Sequence, residues 1–270
     1  MDALSSARAK AWTKLNTAKY RRREGLCLVE GEKVVRELLG STWEVRAVLI
    51  KEGAEARHRA LLGRLPPSQE VQAVPDRIWK RLSQDPAPEG VMAVAVLPPP
   101  PRSWEASPGP LLLLDRINNP NNLGALLRTA LWFGFRTVLI GAGSADWTHP
   151  KVVRTSMGSL FHLDVTADVD FAAELPKLRN RFRVVGSDVR RGTPPHPCPR
   201  RTALLLGNES HGLPAALLDR TDERWRIPGG GDSKFAHPRP PTAVKPLKGW
   251  GLRQADLDAY FGTYLPGPGA

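Results

Sequence analysis

Two short stretches of this chain carry polar residues at spacings that chemistry could use. In the first, Asn122 is followed by Gly124 and then by Arg128. Arg128 stands among leucines and alanines and has two readings. It is a solvated arginine on the outer face of a helix, or a guanidinium turned back toward the preceding loop, where its planar fork of donors would hold a phosphate. In the second stretch, Gly207-Asn208-Glu209-Ser210-His211-Gly212-Leu213, two glycines bracket a glutamate. Gly207 and Gly212 lack side chains that would keep backbone away from a ligand. Glu209 could cap the next helix, accept from a ligand hydroxyl or amine, or pair with Arg128. A plain turn between strand and helix is the bland alternative.

Other chemistries lack their residues. Ser210 and His211 lie in no GxSxG elbow, and sequence neighbours cannot form a nucleophile–base pair that needs spatial convergence. The dinucleotide pattern GxGxxG and the phosphate loop GxxxxGK[ST] are both missing. The six histidines show no metal-ligand spacing. Cys27 and Cys198 are far apart and suggest neither a metal site nor a disulfide, a usage that suits a reducing cytoplasm.

The elements around both stretches are legible from hydrophobic spacing. The four leucines Leu111–Leu114 follow the proline run Pro98–Pro101 and predict a fully buried parallel strand. The polar segment Asp115–Asn122, with Pro120 inside it, is expected to be a loop. Leu123, Leu126, Leu127, Ala130 and Leu131 then recur at helical spacing, with Asn121 or Asn122 placed to cap. Thr202–Leu206 is a second buried strand, running straight into Gly207. Strands at Thr137–Ile140, Leu163–Val165, Arg183–Ser187 and Glu223–Ile227, with helices at Pro150–Leu160 and Phe171–Asn180, complete an alternation of strand and helix. Strand, polar loop, helix delivers side chains to the carboxyl edge of a sheet, where α/β proteins bind ligands.

Residues 1–97 form a separate unit. Ala3–Tyr20 has helical spacing and a basic face, and Arg21-Arg22-Arg23 follows it directly. Short strands at Leu26–Val29, Val45–Ile50, Val71–Val74 and Gly90–Val96 alternate with helices at Gly31–Leu39, Ala54–Leu65 and Asp76–Leu82, the pattern of a small α/β sandwich. A stiff linker, residues 98–110, divides this unit from residues 111–270; Leu97–Pro110 holds six prolines. The chain has 270 residues, a formal charge of +12 and a pI near 10.2. Such an excess attracts polyanions, nucleic acid first. Lys14, Lys19, Arg21, Arg22 and Arg23 are the expected contacts to an RNA backbone, against the reading of a solvated helix end. No apolar run approaches the length of a membrane span, so no membrane partner is expected.

The pattern NxGxxxR after a strand, here Asn122 to Arg128, resembles the first motif of the SpoU methyltransferases, members of the SPOUT superfamily. Asn119-Pro120 replaces the usual Asp-Pro. Gly207–Leu213 resembles the second motif, and His149–Phe161, with Ser156 and Gly158, is similar to the stretch between them. The run from Lys14 to Leu39, including Leu28-Val29-Glu30-Gly31, resembles the substrate-binding domain often found ahead of the catalytic one, although Glu30 and Gly31 also suit a turn and cap. Arg226-Ile227-Pro228 opens like the third motif. The family then continues with Ser-Leu-Asn-Val-Ser and an apolar helix, whereas this chain reads GGGDSKFAHPRPP; either the segment has diverged or the reading frame shifts near residue 230.

The resemblance implies an α/β fold with a SPOUT-type parallel sheet and a C-terminal trefoil knot, preceded by a small RNA-binding sandwich. It implies 2′-O-ribose methylation of ribosomal RNA, ahead of transfer RNA, with S-adenosyl-L-methionine as cofactor and a homodimer as the assembly. Arg128, Asn122 and Glu209 would be the catalytic set. Leu206, Gly207, Asn208, Gly212, Leu213, Ile227 and Pro228 would bind the cofactor. The competing expectation is a non-catalytic RNA-binding protein that kept the fold and lost the cofactor pocket.

Overall fold

The structure is a computed structural model that describes residues 2–101 and 103–227. The chain divides into two units, one holding the residues up to Pro99 together with Asp146–His162, the other Pro100–Ala145 and the residues from Leu163 on.

In chain order, the first unit opens with β1 (Asp2–Ala3), α1 (Ser6–Thr13), a 3-10 turn at Lys14–Asn16, and α2 (Ala18–Glu24). The single helix expected over Ala3–Tyr20 is therefore interrupted: Thr17 takes an extended backbone and restarts the helix. Then follow β2 (Leu26–Glu30), α3 (Glu32–Leu39), β3 (Val45–Lys51), α4 (Arg59–Leu62), β4 (Val71–Val74), α5 (Asp76–Leu82) and β5 (Val91–Val96). The helix expected over Ala54–Leu65 shrinks to α4. The chain up to it is held by the buried His58, whose ring nitrogens meet Glu32 Oε2 and the Glu89 carbonyl, each at 2.9 Å. The five strands form a mixed sheet in the order β1-β4-β3-β5-β2. Trp12, Leu15, Leu28, Leu49, Trp79 and Met92 share one apolar core on it.

The second unit begins with β6 (Leu111–Leu114), α6 (Pro120–Trp132) and β7 (Thr137–Gly141). Helix α6 starts inside the segment expected to be loop. Pro120 needs no N–H at the first helical position, and Asn119, rather than Asn121 or Asn122, is the cap, accepting from Asn121 N at 2.9 Å. The Asp146–His162 segment of the first unit carries α7 (Pro150–Thr155) and a 3-10 turn at Ser159–His162. The helix expected to reach Leu160 stops because Met157 and Gly158 turn to positive φ. A side chain at Gly158 would also collide with Glu37 Cβ.

The chain then resumes the second unit with β8 (Asp164–Val169), α8 (Phe171–Arg179), β9 (Arg183–Ser187), β10 (Thr202–Leu206), α9 (Ala215–Leu218) and β11 (Glu223–Trp225). Among the described residues its six strands are all parallel, in the order β11-β9-β10-β6-β7-β8. Leu111, Leu113, Ala203 and Leu205 point to one face, where Phe171, Leu175 and Leu178 of α8 cover them. Leu112, Leu114, Val138 and Ile140 have the opposite parity and are buried too. A sheet covered on both faces explains why its strands are continuous apolar runs rather than alternating ones.

Candidate functional site

The two polar stretches of the sequence meet at one point of the six-stranded sheet. Strands β6 and β10 are neighbours in parallel register, Leu111–Leu114 against Ala203–Leu206. From β6 the chain passes to β7 on one side, whereas the strands before and after β10 in sequence, β9 and β11, lie on the other. Connections leaving in opposite directions open a crevice at the carboxyl ends of such a pair. Both polar loops begin there, and Asp115 N donates to the Leu206 carbonyl at 2.8 Å to carry the ladder one step past the strands.

Asn122, buried in the first turn of α6, donates from Nδ2 to Glu209 Oε1 at 3.0 Å. Asn208 donates from Nδ2 to the Arg116 carbonyl at 2.9 Å and, more weakly, to Glu209 Oε2 at 3.4 Å. Its Oδ1 accepts from Ser210 N at 2.9 Å and from His211 N at 3.1 Å, while its carbonyl accepts from Gly212 N at 2.8 Å. The loop after β10 is thus a closed turn bonded side chain by side chain to the loop after β6. Arg116 carries a positive φ of 52°, and its Nε pairs with the buried Asp115 at 3.0 Å. A non-glycine residue in that region is a local strain that the surrounding bonds must hold.

The expected catalytic residues divide in two. Asn122 and Glu209 are in direct contact. Arg128 is exposed and has no ion pair or hydrogen bond among the described residues, so the pairing of Glu209 with Arg128 is replaced by pairing with Asn122 and Asn208. Both Glu209 oxygens are occupied by short amide side chains within reach, and the Arg128 guanidinium has no partner among the described residues.

Among the expected cofactor residues, Gly207 is the most constrained. A Cβ there would lie 2.5 Å from Gly212 C and Leu213 N, so the turn closes only on a glycine. Leu206 and Ile227 are half-buried, Gly212 has a φ of 69°, and Leu213 sends its side chain into the core beside Leu217, leaving only its backbone to the turn. Pro228 lies outside the described residues, as do Gly229–Pro241. Asn208 does more than its expected place among the cofactor residues implies, because it bridges the two loops. The signal for that role is an Asn at a strand end followed by two backbone N–H groups, the Asx-turn arrangement.

Of the five basic residues assigned to RNA, Arg21 is a correction. It is buried, with Nε on Thr148 Oγ1 at 2.8 Å, Nη1 on the Leu15 carbonyl at 2.8 Å and Nη2 on Asp146 Oδ2 at 2.5 Å. All three nitrogens are engaged inside the first unit, which leaves nothing for a phosphate. Burial pushes the Asp146 carboxyl upward, but the Thr148 hydroxyl and Arg21 outweigh it and hold the group below its ordinary value of 3.8. Lys14, Lys19, Arg22 and Arg23 are exposed. Lys14 Nζ lies 5.2 Å and the Arg23 guanidinium 4.8 Å from the Tyr20 ring centre, and Arg23 also pairs with Glu24. Glu30 is a structural residue: it accepts from Ser83 Oγ and from Gln84 N, and burial raises its carboxyl above the ordinary range. Cys27 is sealed in the core, where burial pushes its thiol to about 12. No helix of the described residues is long and apolar enough to cross a membrane.

Comparison with known proteins gives this geometry a context. Residues 110–234 match the SpoU rRNA methylase family, and residues 7–93 match the MRM3-like substrate binding domain. The 23S rRNA (guanosine(2553)-2'-O)-methyltransferase RlmP of Bacillus subtilis is 29% identical over 231 residues, 84% of this chain and 90% of that protein. A Porphyromonas gingivalis protein of the TrmH family of RNA methyltransferases is 34% identical with a TM-score of 0.73, covering 85% of this chain and 91% of its own. The SpoU methyltransferase AviRb of Streptomyces viridochromogenes, solved in complex with AdoMet, shares the fold at a TM-score of 0.78 and 24% identity, over 96% of this chain and 98% of its own.

Proposed function

Since the chain belongs to the SpoU rRNA methylase family, we propose that it methylates a ribose 2′-hydroxyl of RNA, using S-adenosyl-L-methionine. The observation that carries this reading is the Asn122–Glu209 bond, which joins the two motifs at the crevice between β6 and β10. The substrate class follows the relatives: RlmP is by name a 23S rRNA 2′-O-methyltransferase, which puts ribosomal RNA ahead of transfer RNA.

The residues present suit the cofactor. The turn closes tightly, with buried Gly207 packed on Gly212 and Leu213, and half-buried Leu206, Gly212 and Ile227 offer partly open surface to an adenosine. When bound, S-adenosylmethionine supplies an electrophilic methyl group on a sulfonium. The chain's own part is mostly positioning, because an in-line displacement gains most from holding its partners close and aligned. Asn122, fixed by Glu209, orients the loop that receives the ribose. Arg128 clamps the neighbouring phosphate and stabilises the oxyanion that forms on the 2′-oxygen, since a guanidinium offers donors and no acceptor. Glu209 acts as the support of Asn122 rather than of Arg128. Lys14, Lys19, Arg22 and Arg23 supply the backbone contacts of the first unit, so that RNA capture falls to the first unit and the chemistry to the second.

The finer family traits belong to the same reading: a trefoil knot, a homodimer and a cytoplasmic site of action. Light scattering on the purified chain tests the dimer directly. The function itself is tested by calorimetry with S-adenosylmethionine and S-adenosylhomocysteine. Micromolar binding of both is expected. A folded chain that binds RNA and neither nucleoside would instead be the non-catalytic RNA-binding protein.

A further inference from the structure

The second residue of the loop after β6, Arg116, stands in left-handed backbone at a φ of 52°. Glycine takes that conformation freely, whereas a residue with a long side chain adopts it at a cost. Bonds on both sides hold it there. Asp115 N donates to the Leu206 carbonyl at 2.8 Å, and the Arg116 carbonyl accepts from Asn208 Nδ2 at 2.9 Å. Ile117 N donates to Ser144 Oγ at 3.2 Å, and the Ile117 carbonyl accepts from Ala145 N at 2.8 Å. Three consecutive residues are thus pinned to the end of β10 and the turn after it on one side, and to the chain after β7 on the other. A strained backbone so firmly held beside a candidate site points to a use for the side chain it carries.

That side chain is 47% exposed. Its Nε is taken by the buried Asp115 at 3.0 Å, and Nη1 and Nη2 have no partner among the described residues. One edge of the guanidinium is held by the protein. The other offers two parallel donors, the fork that fits two oxygens of a phosphate. The residue is also tied to the groups that receive the ribose: Asn208 Nδ2 reaches Glu209 Oε2 at 3.4 Å as well, and Glu209 Oε1 accepts from Asn122. Its direction favours RNA over the carboxylate of S-adenosylmethionine. In the sheet, β6 lies between β10 and β7. The turn assigned to the nucleoside leaves β10, whereas the stem of Arg116 lies toward β7, where a Cβ on Gly143 would come 3.6 Å from Arg116 Cγ.

We propose that Arg116 is a positioning residue that grips a phosphate of the RNA beside the target ribose, an assignment that rests on the ribose-methylation reading. With Arg128 on the following helix, it gives the strand a second anchor. Two anchors fix the rotation of a ribose that a single one would leave free, and alignment of the attacking oxygen is what the displacement needs.

The test compares the unaltered chain with Arg116→Gly, which takes the backbone without strain, and Arg116→Lys, which keeps a charge beside Asp115 but loses the fork. Affinity for ribosomal RNA is measured against salt, and S-adenosylmethionine binding by calorimetry. Arg116→Gly should bind RNA about tenfold to a hundredfold more weakly, the loss of a hydrogen-bonded charge. Its slope of log affinity against log salt should fall by about 0.7–0.9, one phosphate fewer. Arg116→Lys should recover the slope and only part of the affinity, and both variants should keep the S-adenosylmethionine isotherm. Unchanged RNA affinity and slope in both variants overturn the assignment, and so does a loss confined to S-adenosylmethionine. If Arg116→Gly loses both ligands, Arg116→Lys decides: weakened RNA binding beside a normal nucleoside isotherm supports the grip, and normal RNA binding overturns it. An unaltered chain that methylates RNA while both variants bind as it does loses this assignment alone. A chain that binds RNA through Arg116 yet transfers no methyl group keeps the contact and loses the methylation reading.

Discussion

At the residue scale, groups that act on a ligand are distinct from groups that hold the protein together. Arg128 belongs to the first class because its exposed guanidinium has no partner among the described residues. Arg128→Ala is expected to lower the rate of methyl transfer about 10²–10³-fold, the loss typical of removing one oxyanion donor, with S-adenosylmethionine affinity nearly intact in calorimetry. A large loss of that affinity would move Arg128 into the nucleoside pocket. Arg21 is in the second class. Arg21→Ala strands the Asp146 carboxylate and should cost about 3–5 kcal/mol in urea unfolding. The pH dependence has a definite sign. The Asp146 carboxyl is held below 3.8 in the folded chain, so its contribution is present above that value and is lost as pH falls through the lower folded value. Asp146→Asn should therefore be less stable at neutral pH and flatten the acid limb of stability. An unchanged acid limb would count against the pair. The sequence alone groups Arg21 with Arg22 and Arg23, since composition marks all three as basic. What sets Arg21 apart is a partner 125 positions away, which no local pattern reveals.

At the element scale, the buried strands and the apolar face of α6 are legible because leucine runs and helical spacing report burial directly. Leu111–Leu114 and Thr202–Leu206 form strands over the residues that their spacing predicts. The start of α6 is less legible: Asn119, Asn121 and Asn122 are all capable caps, and Pro120 suits a loop or a first turn equally well. The consequence matters for the site. With the cap at Asn119, Asn122 enters the helix and its side chain is buried against Glu209 instead of being used for capping. The turn after β10 gives a sharp test. Gly207→Ala would force a Cβ within 2.5 Å of backbone, a clash that backbone cannot relieve by a rotamer change. The expected cost is about 1–3 kcal/mol of stability, with a more than tenfold weaker S-adenosylmethionine isotherm. Full affinity in the variant would mean that the nucleoside does not use this turn.

At the scale of the molecule, a charge of +12 has to be read through its distribution. Lys14, Lys19 and Arg23 are exposed, whereas Arg21 is consumed internally, so the effective basic surface of the first unit is smaller than its sequence suggests. Removing Lys14, Lys19 and Arg23 together should weaken RNA binding evenly across sequences. It should also lower the slope of log affinity against log salt by about 0.7–0.9 for each phosphate no longer neutralised. A slope that does not change would place the RNA on another surface. Catalysis should respond differently, with the apparent affinity for RNA falling while the single-turnover rate at saturation stays. The central claim, that this chain methylates a ribose hydroxyl, is tested most directly by incubating it with ribosomal RNA and isotope-labelled S-adenosylmethionine, then digesting the product in alkali. A methylated 2′-oxygen cannot attack its phosphate, so the label should appear in an alkali-resistant dinucleotide. Label released in mononucleotides, as a methylated base would give, or no label from a chain that binds the nucleoside, would contradict it.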